Sequence, residues 1–348
     1  MPTMKAALYD GEKMRLAEAP RPEPGPGDAV ARVRCAGICG SDLLFYARNT
    51  TPDTMHIGHE VAGEVVEVGE GVDPNLVGRR VAIENIGQGN ACGRCWFCRS
   101  GQFVQCTDRD PPRGGGYAEF IARRAAGCYP VPDDMSWEAA GLVEPLAVSV
   151  HGVRRGQMAG GETVLVLGAG NIGLTSVAAA RAMGAGKVLV TARHPHQAEM
   201  AMGLGADEAL PSESDDLVER VEAATDGRGA DLTLESVGGY ASTTFDQAIR
   251  LTRTQGRIVI LGGFHEPVTI DVLAPLQKEQ SIIFSSCYSL LDGKHDYEIA
   301  IDQLASGRVV LDAMVTHRFP LERIGEAFET AYDKTSGSVK VQIHQQAD

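Results

Sequence analysis

The first 150 residues carry short apolar runs at strand spacing, separated by glycine and proline. Residues 29–34 (AVARVR) alternate apolar and polar, residues 61–68 (VAGEVVEV) are rich in valine, and residues 78–83 and 117–122 (YAEFIA) add further strands. A connector rich in proline and glycine, residues 20–27, interrupts them. This pattern predicts an antiparallel, barrel-like β unit. Near residue 160 the rhythm changes. Residues 163–167 (TVLVL) form a continuous apolar run that meets a glycine-rich turn, followed by a helix over 172–183. A strand at 187–191 (KVLVT), a helix at 195–204 with Pro195 in its first turn, a strand at 231–234, a helix at 241–251 and a strand at 257–261 follow. Strands alternating with helices predict an α/β arrangement, a parallel sheet covered on both faces. Helices at 297–305 and 321–332 precede a last strand at 339–343 (VKVQI), placed to return to the first unit.

Composition changes this picture little. The 348 residues suffice for two domains, and 43% apolar with 22% charged residues is ordinary for a globular chain. A net charge of −14 disfavours nucleic acid or an anionic membrane as partner. The N-terminal MPTMKAALY lacks the apolar stretch of a secretory signal, and no run is long enough for a membrane span. A cytoplasmic location is expected.

Cysteine placement is more informative. Of eight cysteines, Cys92, Cys95, Cys98 and Cys106 lie in the pattern C-x2-C-x2-C-x7-C. In a chain without a signal sequence this clustering favours a metal over disulfides. Two-residue spacers let one loop turn successive sulfurs toward one ion, and four thiolates leave no position for substrate, so the spacing predicts a structural zinc. An iron–sulfur cluster is the main rival.

Cys39 in Cys39-Gly40-Ser41-Asp42, His59 and Glu60 in Gly58-His59-Glu60, and Glu144 in Glu144-Pro145 supply a second donor set. A thiolate, an imidazole and a carboxylate would hold a catalytic zinc with one position open. A third constellation, Gly168-Ala169-Gly170-Asn171-Ile172-Gly173, places G-x-G-x-x-G after a strand and before a helix, the context that marks a dinucleotide site.

Gly58-His59-Glu60-x2-Gly63-x5-Gly69-x2-Val72, with the Cys39 segment, the cysteine quartet and Glu144-Pro145, resembles the zinc-dependent medium-chain dehydrogenase/reductase superfamily over nearly the whole chain. It looks most like the polyol branch, the sorbitol, L-idonate and threonine dehydrogenases. The resemblance implies a GroES-like catalytic domain (1–150 and 290–348) and a doubly wound Rossmann domain (151–289), with cofactor and catalytic zinc in the cleft. It also implies two zinc ions per chain, one catalytic and one structural, and a homodimer or homotetramer. Cys39 and His59 would be catalytic-zinc ligands, with Glu60 or Glu144 as the third. Ser41 would take the hydroxyl proton of a secondary alcohol, while hydride passes reversibly between substrate carbon and nicotinamide. Relatives usually carry a relay histidine where this chain has Leu44, so the path would end at Ser41 or run through ribose and water, with Tyr46 and His56 as substitutes.

In the family register Ala192 takes the place of the acid that binds the ribose 2′-hydroxyl, and Arg193 follows it. Alanine makes room for a 2′-phosphate and arginine pairs with it, which predicts NADP(H) over NAD(H). Glu235-Ser236-Val237-Gly238 and Leu261-Gly262-Gly263 would border the nicotinamide. The substrate would be a polyol, sugar alcohol, cyclitol or amino-alcohol derivative, or the matching ketone. The alternatives are a zinc-independent quinone or enoyl reductase of the same superfamily and a non-catalytic NADP-binding protein.

Overall fold

The computed structural model describes residues 2–10, 12–48, 58–111, 113–333 and 335–345, without the side chains of residues 45–48. The chain divides into two compact units. One comprises Met1–Glu144, Ser289–Ser306 and Leu311–Asp348, the other Pro145–Tyr288 and Gly307–Val310.

The first unit is built on a seven-stranded sheet. Its strands run in the order Val315–Pro320, Lys340–His344, Asp28–Gly37, Glu60–Val68, Arg80–Glu84 and Cys128–Pro130, with Phe120–Arg124 also paired to Asp28–Gly37. Val315–Pro320 and Lys340–His344 are parallel, and the other pairings are antiparallel. The C-terminal strand therefore returns to the first segment of the chain, as its apolar alternation predicts. Ala29, Ala31, Val33, Val61, Val65, Val81 and Ile83 fill the core, closed by Ile324, Ala327 and Phe328 of the helix Ile324–Tyr332. The periodic stretch at 321–332 is not one helix: Leu321–Arg323 forms a 3-10 turn and the α-helix starts at Ile324. The strand expected at 117–122 begins at Phe120.

The second unit holds a six-stranded sheet. Its order is Glu208–Pro211, Lys187–Ala192, Thr163–Leu167, Ala230–Glu235, Thr252–Ile260 and Ser281–Phe284, parallel throughout. Numbered along the chain this is 3-2-1-4-5-6, the doubly wound Rossmann order, whose direction reverses beside the first strand. Val164, Leu165, Val166 and Leu167 are fully buried, which is why their run is continuous rather than alternating. No helix among the described residues is long and apolar enough to cross a membrane.

Candidate metal centres and dinucleotide turn

The cysteine loop folds around its own sulfurs. Cys95 begins the short helix Trp96–Arg99 as its N-cap, Cys98 lies within that helix, and Cys106 follows the 3-10 turn Phe103–Gln105. The Sγ–Sγ separations are 3.5 Å for Cys95–Cys98 and 3.9 Å for both Cys92–Cys98 and Cys95–Cys106. Four sulfurs about 2.3 Å from a central zinc would lie about 3.8 Å apart, whereas a disulfide needs about 2.05 Å. The spacing fits zinc. Backbone N–H groups of Arg94, Cys95, Cys92 and Asp108 point at Cys92 or Cys106 Sγ over 3.3–3.5 Å. Such bonds favour thiolates: backbone donors, that of Cys98 first, bring Cys95 down to about 6. Burial, reinforced by Cys95 and Cys106, pushes Cys98 up to about 12. Sulfurs gathered this closely resist collective ionisation until a cation joins them.

The second cluster joins segments distant in sequence. Cys39 precedes the helix Gly40–Arg48, His59 precedes the strand Glu60–Val68, and Glu60 is that strand's first residue. One ligand atom from each of Cys39, His59 and Glu60 lies within 4.8 Å of the other two, the compactness one ion requires. Their support is a buried carboxylate that sequence reasoning left without a role. Asp42 accepts hydrogen bonds from Cys39 N (3.0 Å), Tyr117 Oη (2.8 Å) and Gly58 N (3.4 Å), and its Oδ1 lies 3.9 Å from His59 Nδ1. Burial alone would lower the His59 pKa, but the Cys39 thiol and the Asp42 carboxylate outweigh it and raise it well above the ordinary value. A site that draws a proton so strongly also favours a cation in its place.

Lys340 was not foreseen. It lies in the C-terminal strand, fully buried, with Nζ 2.7 Å from Glu60 Oε1, 2.5 Å from Oε2 and 3.1 Å from the carbonyl oxygen of Ile38. Glu144, in the first turn of the helix Val143–Arg155, is buried near the same cluster. Burial, then the neighbouring Glu60 and Asp42, lift its pKa to about 7 against the pull of His59 and Lys340. Its carboxylate is not among the donors grouped with Cys39 and His59. Ser41 is exposed and Leu44 half-buried; His56 and the Tyr46 side chain lie outside the described residues.

In the second unit the glycine turn takes the form a pyrophosphate requires. Gly168 has φ 93° and its N–H donates to Thr191 Oγ1 (2.9 Å). A Cβ on Gly173 would lie 1.9 Å from the carbonyl oxygen of Gly168, so only glycine permits this closeness of turn and helix. Gly170 caps the helix Asn171–Ala182 without a side-chain bond, leaving its first N–H groups, including those of Asn171 and Ile172, to a ligand. Ala169, within the turn, is buried. Ala192 ends its strand, buried, and Arg193 projects from the next position, with its guanidinium 3.1 Å from Glu213 Oε1. Leu261 N donates to the carbonyl oxygen of Glu235 (2.8 Å), tying together the carboxyl ends of two neighbouring strands.

Comparison with known proteins agrees with this geometry. Residues 25–133 match the alcohol dehydrogenase GroES-like domain and residues 171–306 the zinc-binding dehydrogenase family. The sorbitol dehydrogenase of Bacillus subtilis (strain 168) is 32% identical over 351 residues, covering 98% of this chain and 97% of the relative. A structure from Sinorhizobium meliloti 1021, solved bound to NADP, superposes with a TM-score of 0.85 at 30% identity, over 99% of this chain and 100% of the other. A short chain alcohol dehydrogenase of Escherichia coli CFT073, solved with cofactor NADH, gives 0.87 at 28% identity, over 98% and 99%. With both zinc motifs gathered in space and the glycine turn set in a Rossmann sheet, the chain belongs to the zinc-dependent medium-chain dehydrogenase/reductases, in their polyol dehydrogenase branch.

Proposed function

We propose that this enzyme transfers hydride reversibly between a secondary alcohol of the polyol class and NADP(H), with one catalytic and one structural zinc per chain. The observation that carries the reading is the convergence of Cys39, His59 and Glu60 within 4.8 Å. A zinc bound there supplies Lewis acidity, which polarises the alcohol or ketone oxygen and lowers the barrier to hydride transfer.

The chain's own residues do the rest. Asp42 fixes the backbone of Cys39 and lies beside His59, so the donors are positioned before the ion arrives. Glu60 or Glu144 completes the donor set. Membership of the Cys39–His59 cluster favours Glu60, whereas the Lys340 clamp on both Glu60 oxygens favours Glu144. In oxidation, Ser41 Oγ accepts the substrate hydroxyl proton while passing on its own hydroxyl proton, as the carbinol carbon gives up hydride. Ser41 is exposed, so water takes the proton onward where relatives use histidine.

NADP(H) is favoured by Ala192 at the end of its strand, which presents no carboxylate to a 2′-phosphate, and by the exposed Arg193 beside it. The likeness to one structure holding NADP and another holding NADH leaves this choice to the local chemistry. The test is kcat/KM with each cofactor across polyols and ketones: NADP(H) should be preferred, and Ala192→Asp should shift the preference toward NAD(H). A wild-type preference for NAD(H) would overturn the assignment. Use of NADPH, a reductant, favours ketone reduction as the direction in the cell.

Self-association through the second unit belongs to the same reading. The edge strand Ser281–Phe284 (SIIF) carries no charge, and Phe284 is 68% exposed. Val272, Leu273 and Leu276 are also exposed, on or beside the helix Leu273–Gln277. An apolar open edge is a template for pairing, and pairing with a second copy would close it. Light scattering should report a dimer or tetramer that Phe284→Glu dissociates.

A further inference from the structure

We infer that Glu213 is a specificity-determining residue, an internal anion that competes with the cofactor's 2′-phosphate for the Arg193 guanidinium. This rests on the NADP(H) reading above.

The local geometry brings the two residues together. Glu208–Pro211 pairs in parallel with Lys187–Ala192, and the register sets Pro211 opposite Ala192. The chain stays bonded one residue further, where Ser212 N donates to the carbonyl oxygen of Ala192 (3.1 Å). Glu213 is thereby carried to the carboxyl end of the sheet, the end at which a doubly wound fold binds its dinucleotide. Arg193 leaves the neighbouring strand end at the same level, and its Nη2 lies 3.1 Å from Glu213 Oε1. The adjoining His194 caps the helix Pro195–Gly203 and stacks on His196, with ring centroids 5.6 Å apart and planes 8° from parallel.

A 2′-phosphate offers oxygens of the same charge and hydrogen-bonding character as the Glu213 carboxylate. The guanidinium then meets one partner or the other, or holds both at the cost of repulsion between them. A 2′-hydroxyl brings no charge, so NAD(H) binding leaves the ion pair undisturbed. Glu213 should therefore weaken NADP(H) selectively and hold cofactor discrimination below what Ala192 and Arg193 alone would give. The side chains of Arg193 and Glu213 are 70% and 77% exposed, which limits the effect to the modest scale of a solvated pair and makes it sensitive to salt.

The experiment measures dissociation constants of NADPH and NADH by nicotinamide fluorescence, for the zinc-loaded enzyme without substrate. Glu213→Gln should tighten NADPH about five-fold and change NADH less than about two-fold, with the gain shrinking at high salt. Glu213→Asp, which keeps the charge, should bind NADPH more weakly than Glu213→Gln. Arg193→Ala should weaken NADPH and remove most of the effect of Glu213→Gln. The inference is overturned if Glu213→Gln affects both cofactors equally or neither while Arg193→Ala still weakens NADPH. If wild type binds NADH at least as tightly and Arg193→Ala leaves NADPH unchanged, the NADP(H) reading itself fails, and this inference with it. Both side chains are largely exposed, so none of these variants threatens folding.

Discussion

Lys340 and Glu60 form an ion pair from which water is excluded: the ammonium lies within hydrogen-bonding distance of both carboxylate oxygens, with 1% and 0% of the side chains exposed. The residues are 280 positions apart and meet because the C-terminal strand pairs with Asp28–Gly37, itself paired with the strand that Glu60 begins. Removing one member of a buried pair leaves the other's charge uncompensated, at a typical cost of about 3 to 5 kcal/mol. Lys340→Met should lower the thermal midpoint sharply in zinc-free protein. It should do so less in the zinc-loaded enzyme, where a bound cation would partly replace the lost ammonium. Calorimetry with and without zinc checks this, and equal losses in both states would count against a metal role for Glu60.

The choice of third ligand has its own measurement. Glu60→Ala and Glu144→Ala should differ in zinc content after dialysis against a weak chelator. The true ligand's variant should retain about one zinc per chain, the one in the cysteine quartet, and the other variant about two. Equal retention of two would argue that the carboxylates substitute for each other.

The cysteine quartet predicts a different outcome. Cys98 and Cys106 are buried with Ala91 and Phe103 in a small apolar cluster of their own. A lobe with so little core depends on its ion, because metal binding there is folding free energy. Cys98→Ser should lose one zinc and make residues 92–106 sensitive to protease, while the ultraviolet signature of a bound nicotinamide persists. Retention of both zincs would overturn the assignment.

What the sequence disclosed divides along physical lines. Thr163–Leu167, the glycine turn and Asn171–Ala182 were legible because their signals are local: a buried run, a G-x-G-x-x-G turn and a helix in direct succession. The donors proposed for zinc were legible as motifs. Lys340 was not, because one lysine inside VKVQI looks like an outward-facing strand residue, and only long-range pairing shows that it turns inward. Glu213 escaped for the same reason, lying beyond a short strand whose parallel partner alone gives it a meaning. The stretch at 321–332 kept its apolar spacing, but Pro320 ends a strand immediately before it, and the chain makes a 3-10 turn before helix begins.

Glu84 gives the last prediction, a dependence of stability on pH. It ends the strand Arg80–Glu84, fully buried, and burial lifts its pKa from an ordinary 4.5 to about 8. Hydrogen bonds from Gln88 and Tyr129 favour the charged form, but burial, with Asp296 and Glu144 nearby, outweighs them. Gln88 N donates to Oε1 (2.9 Å), while Tyr129 Oη lies 3.0 Å from Oε2 and 2.6 Å from Gln88 Oε1. One phenolic proton serves only one of those two acceptors, so a protonated Glu84 satisfies the other contact. Between the ordinary pKa and about 8 the native state therefore holds a proton that the unfolded chain has released. Stability contributed by this group is full at acid pH, falls as pH rises through that window and levels off above it. Glu84→Gln keeps the shape without the titration. The wild-type thermal midpoint should fall relative to that of the variant by at least about 5 °C between about pH 5 and about pH 8.5, in zinc-loaded protein. Taking the difference between the two proteins cancels the titrating groups that do not interact with Glu84. Parallel curves would mean that Glu84 is already ionised in the native fold.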